Sequence, residues 1–199
     1  DIAASAGALT ALQEALEGSP GAYAAAALPA SGRSRRQWAR TLLVNRHLSG
    51  NLYALSADAV AAFREKRLRL PFGAKGEDGL IAYLLLTDLQ GGEDDSHDYR
   101  IVIAKDATFE FEPLQPNIRD LKIYARRLKR YSERHFQKKL LYRRLKENGV
   151  RAMPDAVSEI YTADACAPLR PRLDPLNFWF DLATLRRLRR NAAALAQAV

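Results

Sequence analysis

The chain has 199 residues, of which 48% are hydrophobic and 27% are charged, and its formal net charge is +8. This length and composition predict one folded domain, or a domain with an appendage, and exclude a disordered chain. The single cysteine, Cys166, excludes an internal disulfide framework and a cysteine-rich zinc site, and it fits a reducing compartment.

Charge is unevenly distributed along the chain. Residues 1–118 carry 12 basic and 15 acidic side chains, whereas residues 119–199 carry 19 basic and 8 acidic ones. We therefore expect any attraction to a polyanion or a membrane surface to reside in the C-terminal part. No stretch contains the roughly 20 apolar residues that span a bilayer, and we expect no signal peptide. These features predict a cytoplasmic protein, with peripheral attachment to the inner face of a membrane as an open alternative.

The first 117 residues are predicted to contain alternating helices and strands. The spacing of apolar residues predicts helices over residues 5–16, 37–46 and 57–66 and another from 77 onward. Strands are predicted over residues 23–28, 49–55, 100–103 and 108–111. Ser5 and Ser56 are expected to cap the first and third helices, because a serine hydroxyl accepts an N–H of the first helical turn.

Beyond Asn117 the pattern changes to basic helices. Helical periodicity covers residues 118–146 and about 176–195, and a stretch rich in proline separates the two. The fold class is therefore predicted as α/β, a mixed sheet flanked by helices over residues 1–117, with a basic helical extension over residues 118–199.

The most informative short motif is Gly76-Glu77-Asp78-Gly79, at the junction of a loop and a helix. Carboxylates at this position lie near the positive end of the helix dipole, which stabilises their ionised form. One can orient a ligand hydroxyl while its neighbour takes a proton. The flanking glycines allow a substrate to approach closely. A helix start with ordinary acidic capping is the alternative.

Three segments in sequence order carry a resemblance to a known family. Residues 49–55, the loop with Leu70-Pro71, and residues 76–81 together resemble the second half of inverting glycosyltransferases of the GT-A type. These nucleotide-sugar enzymes include hopanoid, cellulose and hyaluronan synthases. In that family a Glu-Asp pair opens a helix, and its Asp is the general base on the acceptor hydroxyl. The resemblance assigns that role to Asp78.

The resemblance also implies the surroundings of this base. Glu77 would help to position the acceptor, and the glycine-containing strand and the loop would contact substrate through Gly50, Asn51, Tyr53 and Gly76. Residues 1–9 look like the stretch that begins at the last Asp of the family's Asp-x-Asp motif. Asp1 would then be a ligand of a divalent metal, Mg or Mn, that neutralises the nucleotide diphosphate.

A third correspondence lies in the basic helix. Processive family members carry Gln-x-x-Arg-Trp there, and this chain reads Tyr124-Ala125-Arg126-Arg127-Leu128, so only Arg127 agrees. The departure favours transfer of a single sugar. Arg126, Arg127 and Arg130 could meet a leaving diphosphate, for which a guanidinium is well suited. A solvated basic helix face is the alternative.

The predicted function is transfer of a sugar from a nucleotide-sugar donor to an acceptor hydroxyl, with inversion. The family's nucleotide-binding half precedes its Asp-x-Asp motif and has no counterpart here. The resemblance therefore implies either that the chain is the C-terminal portion of a longer enzyme or that the nucleotide pocket is supplied elsewhere.

The alternative function is a non-enzymatic basic module that binds nucleic acid, an anionic membrane surface or a partner chain. Residues 119–151 hold 13 basic side chains against 3 acidic ones, with aromatic residues interleaved, and such a segment can bind nucleic acid. Residues 175–190 combine Phe178 and Trp179 with later arginines, which suits an anionic membrane surface. Helical spacing instead favours packing of Tyr124, Leu128 and Tyr131, and of the aromatic residues after 175, on protein. We rank packing first, membrane second and nucleic acid third.

Overall fold

The computed structural model describes residues 2–112 and 117–197 and divides the chain into two compact units. The first unit comprises Asp1–Arg69 with Gly76–Pro113, and the second comprises Leu70–Lys75 with Leu114–Val199. No sequence pattern separates the short loop 70–75 from its neighbours, and only its contacts assign it to the second unit.

The first unit is a four-stranded mixed sheet flanked by helices. Its strands are β1 Ile2–Ala4, β2 Ala24–Pro29, β3 Tyr53–Leu55 and β4 Ile101–Phe111. They lie in the order β1-β4-β2-β3, in which β2 and β4 are parallel and the two outer pairs are antiparallel. The predicted α/β class with a mixed sheet is therefore confirmed.

The described part of this unit contains the helices α1 Ala8–Glu17, α2 Arg35–Asn45, α3 Ala57–Glu65 and α4 Glu77–Leu86. Ser56 caps α3 as predicted, since its hydroxyl accepts the Ala59 N–H at 3.1 Å. The predicted cap at Ser5 is wrong. Gly7, in the left-handed conformation with φ 76°, precedes α1, and the Ser5 hydroxyl accepts the N–H of Thr108 beside the sheet.

Strand β2 is central to the core although it consists largely of alanine. Ala24 to Ala27 are fully buried, and their small side chains let neighbouring helices pack closely on the sheet. Trp38 of α2 contacts Phe109 of β4 edge to face, with ring centroids 5.5 Å apart. Pairing with strands on both sides outweighs the weak strand propensity of alanine.

Two predicted strands differ from the observed ones. The strand expected over residues 49–55 forms only from Tyr53, because Ser49 and Leu52 close a turn in which the Leu52 N–H donates to the Ser49 carbonyl. The two strands expected after residue 100 are one continuous strand, β4. Its pairing with β2 shifts register between Ala26 and Leu28, which accommodates the polar residues in its middle.

Helix α4 is apolar on all sides. Every residue from Gly79 to Leu85 is buried, as expected for a helix without a polar face. Because surrounding protein holds this helix firmly, its first turn, with Glu77 and Asp78, has a fixed position.

The second unit is mostly helical over its described residues. Its helices are α5 Ile118–Asn148, α6 Ala163–Cys166 and α7 Pro175–Gln197, with short 3₁₀ turns at Val150–Ala152 and Val157–Ile160. Asn117 caps α5 by accepting the Asp120 N–H. Phe72, in the loop 70–75, pairs with Ala156.

The predicted inward face of the basic helix is partly wrong. On α5, Leu128 is buried, but Tyr124 and Tyr131 are 41% and 44% exposed. On α7, Leu185 is buried, whereas Trp179 is 71% exposed. Periodicity identified the apolar positions in these helices, but it did not identify which of them are buried against other segments. Among the described helices, none combines the length and apolar character that crossing a bilayer requires.

Candidate active site

Gly76 sets the geometry at the start of α4. It adopts the left-handed conformation with φ 82° and immediately precedes Glu77. Because this conformation strains residues that carry a Cβ, glycine is favoured here. Glu77 and Asp78 lie in the first turn, where the helix dipole favours negative charge. Glu77 is exposed and Asp78 is half-buried.

Gly50 lies directly against Asp78. A Cβ built on Gly50 would be 3.0 Å from both Cγ and Oδ2 of Asp78. Ordinary carbon contacts are longer, so a side chain at residue 50 would crowd the carboxyl group, and glycine leaves room for it. The structure thus brings together two residues that are 28 positions apart and that the sequence predicted to share one site.

Tyr53, the first residue of β3, belongs to the same group. Burial, followed by the negative charges of Asp78 and then Glu77, raises the pKa of the Tyr53 phenol above its ordinary value. The phenol therefore keeps its proton at neutral pH and can donate a hydrogen bond. A neutral donor beside two carboxylates suits an acceptor that is itself a hydroxyl.

Ser49 was not among the predicted site residues. It is fully buried, and its hydroxyl is the buried side-chain oxygen without a hydrogen-bond partner in the described part of the chain. Its neighbour Asn51, a predicted substrate contact, is half-buried in the same turn. The only sequence signal for Ser49 was its place beside Gly50, and an unpaired buried hydroxyl is visible only once the chain is folded.

The other predicted site residues are three arginines and Asp1. Arg126, Arg127 and Arg130 are on α5 in the second unit, where Arg127 is half-buried and the other two are exposed. Their contact with a leaving diphosphate stays a prediction. Asp1, the predicted metal ligand, lies outside the described residues. Over residues 2–112 and 117–197, no group of three or more His, Cys, Asp or Glu side chains is placed to hold a metal ion.

The second unit contains a charged cluster that the sequence analysis missed. Glu133 of α5 is buried and forms ion pairs with Lys75 and with Arg187 of α7. One turn later on α5, Gln137 accepts the Lys75 N–H at 2.6 Å and donates to the Gly73 carbonyl at 3.3 Å. The spacing of Glu133 and Gln137 in a basic helix was the available signal, but their partners come from distant segments.

Chemically, the group around Asp78 offers a carboxylate, a neutral phenol and exposed backbone at Gly50. The carboxylate can accept a proton from a hydroxyl held by its neighbours, which is the role of a general base. Comparison with known proteins adds no relative: no family model, curated protein or solved structure matches this chain.

Proposed function

We propose that this protein transfers a sugar from a nucleotide-sugar donor to an acceptor hydroxyl with inversion, and that Asp78 is the general base. The observation that carries the proposal is the convergence of Gly50, Tyr53 and Asp78 at the start of a buried helix. The mixed α/β sheet is compatible with the GT-A-like arrangement that the sequence resemblance implies. The sequence resemblance predicts each of these three residues as part of the site.

In the proposed reaction, Asp78 removes the proton of the acceptor hydroxyl. The oxygen attacks the anomeric carbon of the donor as the bond from that carbon to the diphosphate oxygen breaks. The nucleoside diphosphate leaves with the bonding electron pair, and attack from the opposite face inverts the configuration. Glu77 and Tyr53 bind and orient the acceptor. Asp1, which would hold a divalent metal that neutralises the diphosphate, lies outside the described residues.

Gly50→Ala tests the contact that carries the proposal. The added methyl group lies 3.0 Å from Asp78 Cγ, so the carboxylate must move by a few tenths of an ångström. We expect roughly a tenfold lower transfer rate with little change in thermal stability, since general-base catalysis depends on placement of the reacting groups. The measurement is nucleoside diphosphate release by the full-length protein, with UDP-, GDP- and dTDP-sugars and a panel of hydroxyl acceptors.

The control is the Gly50→Ala and Asp78→Asn double variant. If the methyl group acts through the carboxylate, it adds no further loss once Asp78 is replaced. If the two substitutions instead lower the transfer rate independently, so that their effects add in the double variant, the methyl group does not act through Asp78. Failure of every donor to react in the wild-type protein would overturn the proposed function itself.

A second candidate function is binding to an anionic membrane surface, favoured by one exposed face of the second unit. Leu173, two residues before α7, is 89% exposed, and Leu176 and Trp179 in the first turns of α7 are 52% and 71% exposed. Arg186 and Arg190 are exposed at helical spacing from Trp179 and form no ion pair among the described residues. On an anionic membrane, the apolar side chains would enter the lipid–water interface and the arginines would lie near the lipid phosphates. This face is therefore complementary to anionic lipid.

Replacing Leu176 and Trp179 with serine tests this candidate. We expect binding to phosphatidylglycerol-containing vesicles to fall at least tenfold, because the variant loses most of the apolar area that would enter the interface. Co-sedimentation at about 0.15 M salt measures it. The control is Val44→Ser, an equally exposed apolar residue on α2. Equal binding to pure phosphatidylcholine, or equal loss in the control, would reject the membrane surface.

A further inference from the structure

The charged cluster of the second unit has one carboxylate between two cations. Lys75 contacts one oxygen of Glu133, and Arg187 contacts the other. The Glu133 side chain is only 10% exposed, whereas those of Lys75 and Arg187 are 38% and 39% exposed. Both oxygens of the buried acid are thus occupied, while both cations still reach solvent.

Two further cations lie beside this cluster. Lys129 and Arg130 precede Glu133 by one turn of α5, so helical geometry places them on the same side of the helix. Both are exposed, and neither forms an ion pair with any described residue. Two positive charges therefore contact this carboxylate, and two more lie within one helical turn of it along α5. The pKa of Lys75 is lowered, first by burial and then by Arg187, Arg130 and Lys129, which agrees with an excess of positive potential there.

Neutral hydrogen bonds hold the loop that carries Lys75. Gln137 binds the Lys75 backbone N–H and the Gly73 carbonyl, and it also donates to the Tyr161 hydroxyl at 3.2 Å. Gln137 is buried, so these bonds are shielded from water. The position of Lys75 is consequently fixed before any ligand arrives, which lowers the entropic cost of binding.

We propose that Lys75, Arg130 and Arg187 form a binding site for a phosphate group in the second unit. Guanidinium groups donate paired hydrogen bonds to phosphate oxygens, and a lysine ammonium adds a compact positive charge. Glu133 organises the two cations it contacts and leaves an uncompensated positive charge for the anion. The site lies wholly within the second unit. It shares Arg130 with the predicted contact to a leaving diphosphate, but the contacts of Glu133 and Gln137 that carry it do not rest on the proposed sugar transfer.

Calorimetric titration of the full-length protein with inorganic pyrophosphate tests this site. We expect Arg130→Gln and Arg187→Gln each to weaken binding about tenfold, as loss of one charge-assisted contact predicts. Lys139→Gln is the matched control, because it removes the same charge from an exposed position of α5 away from Glu133. If Arg130→Gln and Lys139→Gln weaken pyrophosphate binding equally, pyrophosphate is attracted only by the overall charge of the protein. That result would overturn the proposed site.

Glu133→Gln separates an anion site from an ordinary buried ion pair. Without the competing carboxylate, we expect about tenfold tighter pyrophosphate binding, although the unliganded variant is less stable. Unchanged or weaker binding in the folded variant overturns the proposal. If this variant does not fold, the exposed Arg130 still decides the outcome.

Vesicles distinguish the two sources of a phosphate group. Binding to phosphatidylglycerol vesicles that requires Arg130 but not Lys139, without binding of pyrophosphate, assigns the site to a lipid headgroup. Binding of pyrophosphate that requires Arg130 but not Lys139, without binding to the vesicles, assigns the site to a soluble phosphate compound. If neither ligand depends on Arg130, the site does not exist.

Discussion

Asp78→Asn in the full-length protein is expected to lower the rate of sugar transfer by about 10²- to 10⁴-fold, the range for loss of a general base. The amide has nearly the same shape as the carboxylate but cannot take the acceptor's proton. Binding of the nucleotide-sugar should change little, because the proposed role of Asp78 concerns the acceptor. Nucleoside diphosphate release reports the rate, and equilibrium titration with the same donor reports binding.

Glu77→Gln is the matched control for this prediction, since it makes the same chemical change at the adjacent, exposed position. Its proposed role is to orient the acceptor, so we expect a smaller loss, seen mainly as a higher KM for the acceptor. A larger loss in Glu77→Gln than in Asp78→Asn would exchange the two roles. Near-normal turnover in Asp78→Asn would exclude Asp78 as the base.

Asp181→Asn is expected to destabilise the second unit by about 3–5 kcal/mol, the range for breaking a buried ion pair. Asp181 is fully buried on α7. Arg172 donates to it from Nε at 2.8 Å, from a terminal guanidinium nitrogen at 2.8 Å and from its backbone N–H at 3.0 Å. The amide cannot accept all three bonds and leaves the arginine without its counter-charge. Chemical denaturation, with Asp164→Asn on the surface of α6 as the control, measures the effect.

The same pair predicts a pH dependence of stability. Burial alone would raise the pKa of Asp181, but hydrogen bonds from Arg172 and Ser132 outweigh it and lower the pKa from 3.8 to about 2. A carboxyl whose pKa is depressed by folding stabilises the native state above its unfolded pKa. This contribution, about 2 kcal/mol, should disappear as the pH falls from about 4 to about 2. Asp181→Asn should lack this part of the acid transition, and an identical transition would contradict the assignment.

Local patterns predicted much of the first unit. Ser56 caps α3, and this was predictable because its hydroxyl accepts an N–H from the first turn of the same helix and requires no distant segment. Helix α4 begins at Glu77, as the Gly76-Glu77-Asp78-Gly79 motif indicated. Ser5 shows where local reasoning fails. Its hydroxyl could have capped a helix, but β4, about a hundred residues later, offers it an N–H in the sheet instead.

The candidate active site was predicted as a set of residues, and the fold determined their distances. Nothing local relates Gly50 to Asp78, yet the turn before β3 places them in contact. Ser49 was missed because whether a hydroxyl has a hydrogen-bond partner depends on all the atoms that surround it in the folded chain. Glu133 was missed for the same reason, since its partners Lys75 and Arg187 lie 58 and 54 residues away.

The amino-acid sequence by itself determined the α/β class, the concentration of basic residues after residue 118 and the acidic start of α4. Each depends on composition or on neighbours within a few turns. Tertiary structure alone decided which apolar residues of α5 and α7 remain exposed, and that Gly50 and Tyr53 meet Asp78. Those outcomes depend on contacts between segments that are distant in the sequence. The free energies of such contacts cannot be read from a short stretch of residues.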